Sequence, residues 1–315
     1  MVSAVIFVAT SCVSPLTGFA FWETNLAYEG ESIYNYLQVK NLSDRTILST
    51  NVLFGVQSVT MKDKGLTGMY YDTALAAPAL TDNANSALIL GMGTGTYARQ
   101  LKQYYPKMNI TGVEIDQKIT DLAGEYFDEP ADIPVTTYDG RAWLAASHDK
   151  YDVIMVDAYQ DITIPFQMSS TEFFTMVREH LNPGGVMVVN MNMISDGQGS
   201  INEALSDTIA SVFGNGNTLT ADVPNTTNRE LFAKKPGSGS EENSMQQASK
   251  ALNLRETTYE RTGSEDLEWY MEEVASRFRK VNEPDSGSTI LADDKAPIEV
   301  LGMHAIDQII ADEAG

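Results

Sequence analysis

From residue 87 to residue 192, short apolar runs alternate with stretches whose apolar positions recur every three or four residues. "ALILGMG", "NITGVEID", "IPVTTYDG", "YDVIMVDAY" and "GGVMVVNMN" read as strands. "TYARQLKQYY", "QKITDLAGEYF" and "STEFFTMVREHL" between them read as helices. Strands apolar on both faces and joined by helices predict a doubly wound, mostly parallel sheet covered on both sides. Before it, "SIYNYLQVKN", "RTILSTNVLF" and "VQSVTMK" are β-branched and aromatic runs divided by polar turns, which predict a small antiparallel β unit. Tyr70 to Leu80, "YYDTALAAPAL", predicts a short helix ended by Pro78. After the alternating region, "NTLTADVP" and "ELFAKK" predict a closing pair of strands, "PGSGSEENSMQQ" a solvated loop, and "DLEWYMEEVASRFRKV" a late helix before the tail "LADDKAPIEVLG". The expected organisation is residues 1–22 apart, a β unit over 23–80 and an α/β domain over 81–315.

Composition changes this picture in three places. The 43 acidic and 21 basic residues give a net charge of −22, which argues against a nucleic-acid partner and fits a solvated acidic surface or a cationic ligand. The single cysteine, Cys12, excludes an intrachain disulfide, and His148, His180 and His304 lack ligand spacing, so no metal is expected. Met1 to Trp22 carries no charged side chain over a length sufficient to cross a bilayer. It predicts a membrane anchor with the α/β domain in the cytosol, or the remnant of a longer membrane region; a buried or interfacial helix in a cytoplasmic protein is the alternative, and a cleaved signal peptide is less favoured because no basic residue precedes it.

The candidate chemistry begins at "ALILGMGTGTYARQL". Gly91, Gly93 and Gly95 allow close backbone approach to a ligand at the first strand-to-helix turn. The dinucleotide fingerprint requires a third glycine where Thr96 stands, so a pyrophosphate cofactor is not supported. Glu114, at the end of the next strand, can accept both hydroxyls of a ribose. Asp139 of "YDG", followed by Gly140, can accept from the exocyclic amine of adenine. A glycine turn, a ribose acid and an adenine acid in this order describe a site for an S-adenosyl sulfonium.

With "VEID", "YDG" and "YDVIMVDAYQD" in place, residues 29–302 resemble the spermidine synthase (polyamine aminopropyltransferase) family, and "LADDKAPIEVL" is similar to the C-terminal motif of its membrane-fused bacterial subgroup. The resemblance implies a Rossmann-like fold of the class I S-adenosylmethionine-dependent methyltransferase kind, and a homodimer paired through the β unit. It implies that Gln57 contacts the donor's tail, Tyr70 the acceptor amine, and Asp157 acts as the catalytic acid residue. Two departures from the family bear on its substrates: Thr94 stands where an acid grips the aminopropyl ammonium, and Gln160 where a second acceptor-binding acid is usual, with Asp161 one step later. Ala76 replaces a histidine found in many relatives, and Asp72 stands for another acid.

Aminopropyl transfer is a displacement in which an amine attacks the methylene beside a sulfonium. A positioned carboxylate must take the amine's proton, and Asp157 at the end of the fourth strand can do so. Tyr70 and Tyr159 can orient the amine. Asp161, Glu172, Asp293 and Asp294 are candidate acids for the far ammonium of a diamine, with a solvated surface role the stronger reading. The leading expectation is therefore transfer from decarboxylated S-adenosylmethionine to putrescine or a similar amine. A methyltransferase using intact S-adenosylmethionine, which Thr94 favours, and a non-catalytic membrane-tethered polyamine or nucleoside sensor are the alternatives.

Overall fold

The computed structural model describes residues 20, 23–51, 55–128, 130, 132–159, 164–192, 199–237, 244–284 and 287–314. The chain divides into two compact units, residues 1–65 and 66–315. The expected anchor over Met1–Trp22 lies outside the described residues apart from Ala20; among the described residues no helix is long and apolar enough to cross a membrane.

The first unit is an antiparallel meander of β1 (Leu26–Glu31), β2 (Tyr36–Asn41), β3 (Arg45–Thr50) and β4 (Ser58–Met61), paired in sequence order. Leu37, Val39, Leu48 and Val59 are its buried apolar positions. β1 adds a strand that the sequence pattern did not predict: "LAYEGE" mixes charge with apolar positions, and its pairing slips between Leu26 and Tyr28, so no alternation is visible.

The second unit opens with the short helices α1 (Tyr70–Ala74) and α2 (Ala77–Leu80). Pro78 does not end a helix as the sequence suggested; it sits in the first turn of α2, where a proline's missing N–H leaves nothing unpaired. The sheet follows as β5 (Ser86–Leu90), β6 (Asn109–Glu114), β7 (Val135–Thr137), β8 (Tyr151–Val156), β9 (Leu181–Met191), β10 (Thr218–Asp222), β11 (Arg229–Lys234) and β12 (Arg279–Lys280), in the spatial order β12-β10-β11-β9-β8-β5-β6-β7. β5 to β9 are parallel and β11 is antiparallel to both its neighbours. This is the expected Rossmann-like, doubly wound α/β fold.

Successive residues of the central strands enter different cores. Ala87, Ile89, Val153, Met155, Val186, Val188 and Phe232 pack on one face with α1 and α2, while Leu88, Leu90, Ile154, Val156, Met187, Val189 and Leu231 pack on the other. The expected helices appear as α3 (Thr96–Tyr104), α4 (Gln117–Tyr126) and α6 (Thr171–His180), the last capped by Ser170, whose hydroxyl accepts from the Phe173 N–H. Additional helices are α5 (Gly140–Ala146), α7 (Ile201–Phe213), α8 (Ser244–Ala248), α9 (Ala251–Thr262) and, beyond the expected late helix α10 (Glu265–Arg277), α11 (Ile298–Ala314). α7 is buried on most sides, including Asn202, Asp207 and Thr208, and α9 is polar around most of its circumference, so neither shows the contrast between faces that marks a helix in sequence. α8 corrects the end of the predicted loop 236–247, of which 238–243 lie outside the described residues.

Candidate active site

The carboxyl ends of β5, β6 and β8 converge on the glycine turn. Gly91, Gly93 and Gly95 have φ of +88°, +56° and +79°, a region that L side chains rarely enter. At Gly91 the requirement is also spatial: an added Cβ would lie 2.2 Å from the Asp157 carbonyl oxygen. The turn is braced from β6. Glu114 accepts from the Gly93 N–H at 2.7 Å with one oxygen and from the Asp116 N–H at 3.0 Å with the other. Burial raises the Glu114 carboxyl above its ordinary range, and these backbone donors pull it back. Thr94 is fully buried. Asp139 caps α5, accepting from the Ala142 N–H at 2.7 Å, with Gly140 as the first helical residue.

Asp157 follows β8, with its N–H still in the ladder to Leu90 O at 2.9 Å. Its carboxylate lies between two donors: the Tyr70 hydroxyl gives to Oδ2 at 2.7 Å and the Asn190 amide to Oδ1 at 2.9 Å. Burial pushes this carboxyl up to about 7, the two donors oppose the shift, and the charge of Glu114 adds to it. Tyr70 comes from α1, where its ring lies 4.0 Å from that of Tyr71 by centroids. Asn190 is fixed in turn by Asn228, which donates to its Oδ1 at 2.9 Å. A half-buried carboxyl poised near neutrality and oriented from both sides is the arrangement a general base needs.

Other expected residues are placed differently. The Tyr159 hydroxyl donates to Asn190 O and accepts from Asn192 N at 2.9 Å, so it ties the β8 loop to the end of β9. Asp72 turns away from Asp157 to accept from Thr67 N at 2.9 Å, Thr67 Oγ1 at 2.8 Å, Gly68 N at 2.7 Å and Gln100 Nε2, closing the loop ahead of α1. Asp293 receives both terminal nitrogens of Arg141, at 2.7 and 2.6 Å, and the Ser170 hydroxyl, while Glu172 accepts from the Asp293 N–H at 3.1 Å. These two acids hold the C-terminal segment in place, so the structure gives them a bracing role; Asp294 is exposed. Gln57 belongs to the first unit, where its N–H donates to Leu48 O at 2.8 Å. Gln160 and Asp161 lie outside the described residues. Asn190 was missed by the sequence reading: an asparagine inside an apolar strand, "VVNMN", was the available signal. Among the described residues no group of three or more His, Cys, Asp or Glu could hold a metal ion.

Residues 69–235 match the model of the spermine/spermidine synthase domain. A Bifidobacterium longum protein named "Probable polyamine aminopropyl transferase" is 98% identical over 315 residues, covering 100% of this chain and 71% of its own length. The polyamine aminopropyltransferase of Vibrio vulnificus is 28% identical over 209 residues, 63% of this chain and 69% of that one. Among solved structures, a probable spermidine synthase from Corynebacterium glutamicum superposes with a TM-score of 0.59 at 21% identity, covering 82% of this chain and 96% of that chain. A spermidine synthase in complex with the transition-state analogue AdoDATO gives 0.56 at 18% identity, over 68% and 75%.

Proposed function

The chain belongs to the spermine/spermidine synthase family and is a polyamine aminopropyltransferase, and from that premise we propose that it moves an aminopropyl group from decarboxylated S-adenosylmethionine to putrescine or a similar amine, with Asp157 as the base. The observation that carries this is the enclosed Asp157 carboxylate, held by Tyr70 and Asn190 at the carboxyl edge of the sheet beside the glycine turn. The donor's adenosyl group is assigned to the turn at Gly91, Gly93, Thr94 and Gly95, its ribose to Glu114 and its adenine to Asp139 and Gly140. Gln57 and Gln160 remain expectations for the donor's tail and the acceptor.

In the reaction the acceptor's amine lone pair forms a bond to the methylene beside the sulfonium. The carbon–sulfur bond breaks, and its electrons return to sulfur, which leaves as the neutral thioether 5′-methylthioadenosine. The nitrogen sheds a proton to Asp157. Because the leaving group is neutral it needs no acid, and the protein's contribution is alignment and proton removal. Tyr70 and Asn190 hold the carboxylate in one orientation toward the incoming nitrogen.

Incubation of the protein with decarboxylated or intact S-adenosylmethionine and a panel of amines, read by mass spectrometry, tests the assignment. An aminopropylated amine with 5′-methylthioadenosine is expected. A methylated amine with S-adenosylhomocysteine would refute it.

A further inference from the structure

Three side chains lie in one row across the sheet. Val156 of β8 is in register with Val189 of β9, which places Asp157 beside Asn190; Asn190 is paired directly with Glu230 of β11. Because β11 alternates, Glu230 shares a face with Phe232, on the side of the sheet that carries Tyr70, Tyr97 and α1. Two strand spacings of about 4.8 Å each separate the Glu230 and Asp157 positions, roughly 10 Å in all. Glu114 and the glycine turn lie on the opposite side of Asp157 from Glu230 in the strand order.

Glu230 is fully buried, and among the described residues neither of its carboxylate oxygens has a hydrogen-bond partner. The nearby hydroxyls are committed elsewhere: Tyr97 donates to Ala74 O at 3.0 Å, and Tyr159 to Asn190 O. Its chain neighbour Arg229 is bound to Asp222 at 2.5 Å. The charge that acts on Glu230 is another carboxylate, Asp157, and burial together with that charge pushes its carboxyl well above the usual range. An enclosed acid with no donor is costly, and the cost is removed by a cation that arrives with its own N–H groups.

We infer that Glu230 is an ammonium-binding residue of the active site, holding the primary ammonium of a reactant roughly 10 Å along the sheet from Asp157. This rests on the aminopropyltransferase reading, in which two such groups exist: the end of the donor's aminopropyl tail and the far end of the diamine. Both are short alkylammonium groups carried a few carbons from the reacting atoms. Either meets the geometry of two acids on one row, one facing the attacking nitrogen and one facing a spectator ammonium.

The test is calorimetric and uses two ligand pairs on the wild type, Glu230→Gln and Glu230→Met. The first pair is decarboxylated S-adenosylhomocysteine and 5′-(n-propylthio)adenosine, which differ by the tail ammonium. The second is putrescine and n-butylamine, titrated onto protein saturated with 5′-methylthioadenosine, which differ by the far ammonium. The wild type should prefer the ammonium-bearing member. Both variants should lose at least tenfold of that preference in one pair, and the pair affected names the source. Glu230→Met removes the buried acid at nearly constant volume and should fold at least as well as the wild type. Both preferences retained in the variants, or neither present in the wild type, would overturn the inference. Because no turnover is needed, a protein that transfers no aminopropyl group would sink the proposed function while leaving the Glu230 result readable.

Discussion

Replacing Asp157 by asparagine separates catalysis from stability, because the same enclosure that suits the carboxylate to take a proton makes its charge expensive to bury. The asparagine fits the existing frame: its carbonyl can accept from Asn190, and its amide can face the Tyr70 oxygen once that hydroxyl rotates. The base is lost, so turnover should fall by about 10² to 10⁴. Stability should move the other way. The carboxyl is raised from 3.8 to about 7, roughly three pH units at about 1.4 kcal/mol each. A group whose folded value is raised contributes stability that is complete below its unfolded value and lost as pH rises through the folded one. The wild type should therefore lose up to about 4 kcal/mol between about pH 4 and pH 8 through this group, less whatever hydrogen-bond relaxation recovers. The asparagine variant should not show that loss. Thermal melting of both proteins across this range, with single-turnover transfer measured in parallel, reads both effects. A variant with turnover within about threefold of the wild type would refute the general-base assignment; a melting curve with the same pH dependence as the wild type would refute the claim that burial raises this carboxyl.

Three further perturbations test the surroundings of Asp157. In the wild type kcat/KM should rise with pH through about 7 as Asp157 ionises, and Tyr70→Phe, by removing a donor that favours the charged form, should move that limb alkaline by about one unit; an unmoved limb would mean that the hydroxyl does not tune the base. Gly91→Ala puts a Cβ 2.2 Å from the Asp157 carbonyl oxygen at a φ of +88°, so the turn must shift, with at least about tenfold weaker binding of 5′-methylthioadenosine and about 2 kcal/mol of lost stability by denaturant titration; wild-type affinity would show that the turn tolerates displacement. Asp72→Ala strips the acceptor from the loop ahead of α1 and should cost about 3 kcal/mol or more by the same titration, and a loss below about 1 kcal/mol would mean that water replaces the carboxylate freely.

Apart from α5, the alternating strands and helices between residues 87 and 192 were legible because the strands are apolar throughout and the helices along one face, and the acids at the ends of β6 and β8 followed from where such strands stop. Glu230 was not legible. In "RELFAKK" it reads as one polar position of an alternating strand, and only the antiparallel pairing of β11 with β9 sets it opposite Asn190. Local sequence likewise identifies a hydrogen-bonding side chain and leaves its partner open: the Asp72 carboxylate takes the Thr67 and Gly68 N–H groups with the Thr67 hydroxyl and the Gln100 amide, and the Tyr159 hydroxyl takes backbone groups of Asn190 and Asn192. α7 and α9 escaped because burial on most sides and exposure on most sides both erase periodicity.

The Arg141–Asp293 pair joins residues 152 positions apart, and that separation sets an order of events during synthesis. At ribosomal rates of roughly 5 to 20 residues per second, Asp293 leaves the ribosome about eight to thirty seconds after Arg141. Until then α5, whose cap Asp139 we assign to adenine, has its sheet and the Gln167 carbonyl to lean on but lacks the carboxylate that completes the hold on Arg141 in its first turn. The nascent chain can thus complete β5 to β9 well before the nucleoside rim is fastened. A proteolytic nick ahead of Leu291, followed by release of the segment that carries Asp293, would leave an intact sheet and a slackened rim, and donor binding would then report whether that later-emerging segment is still in place.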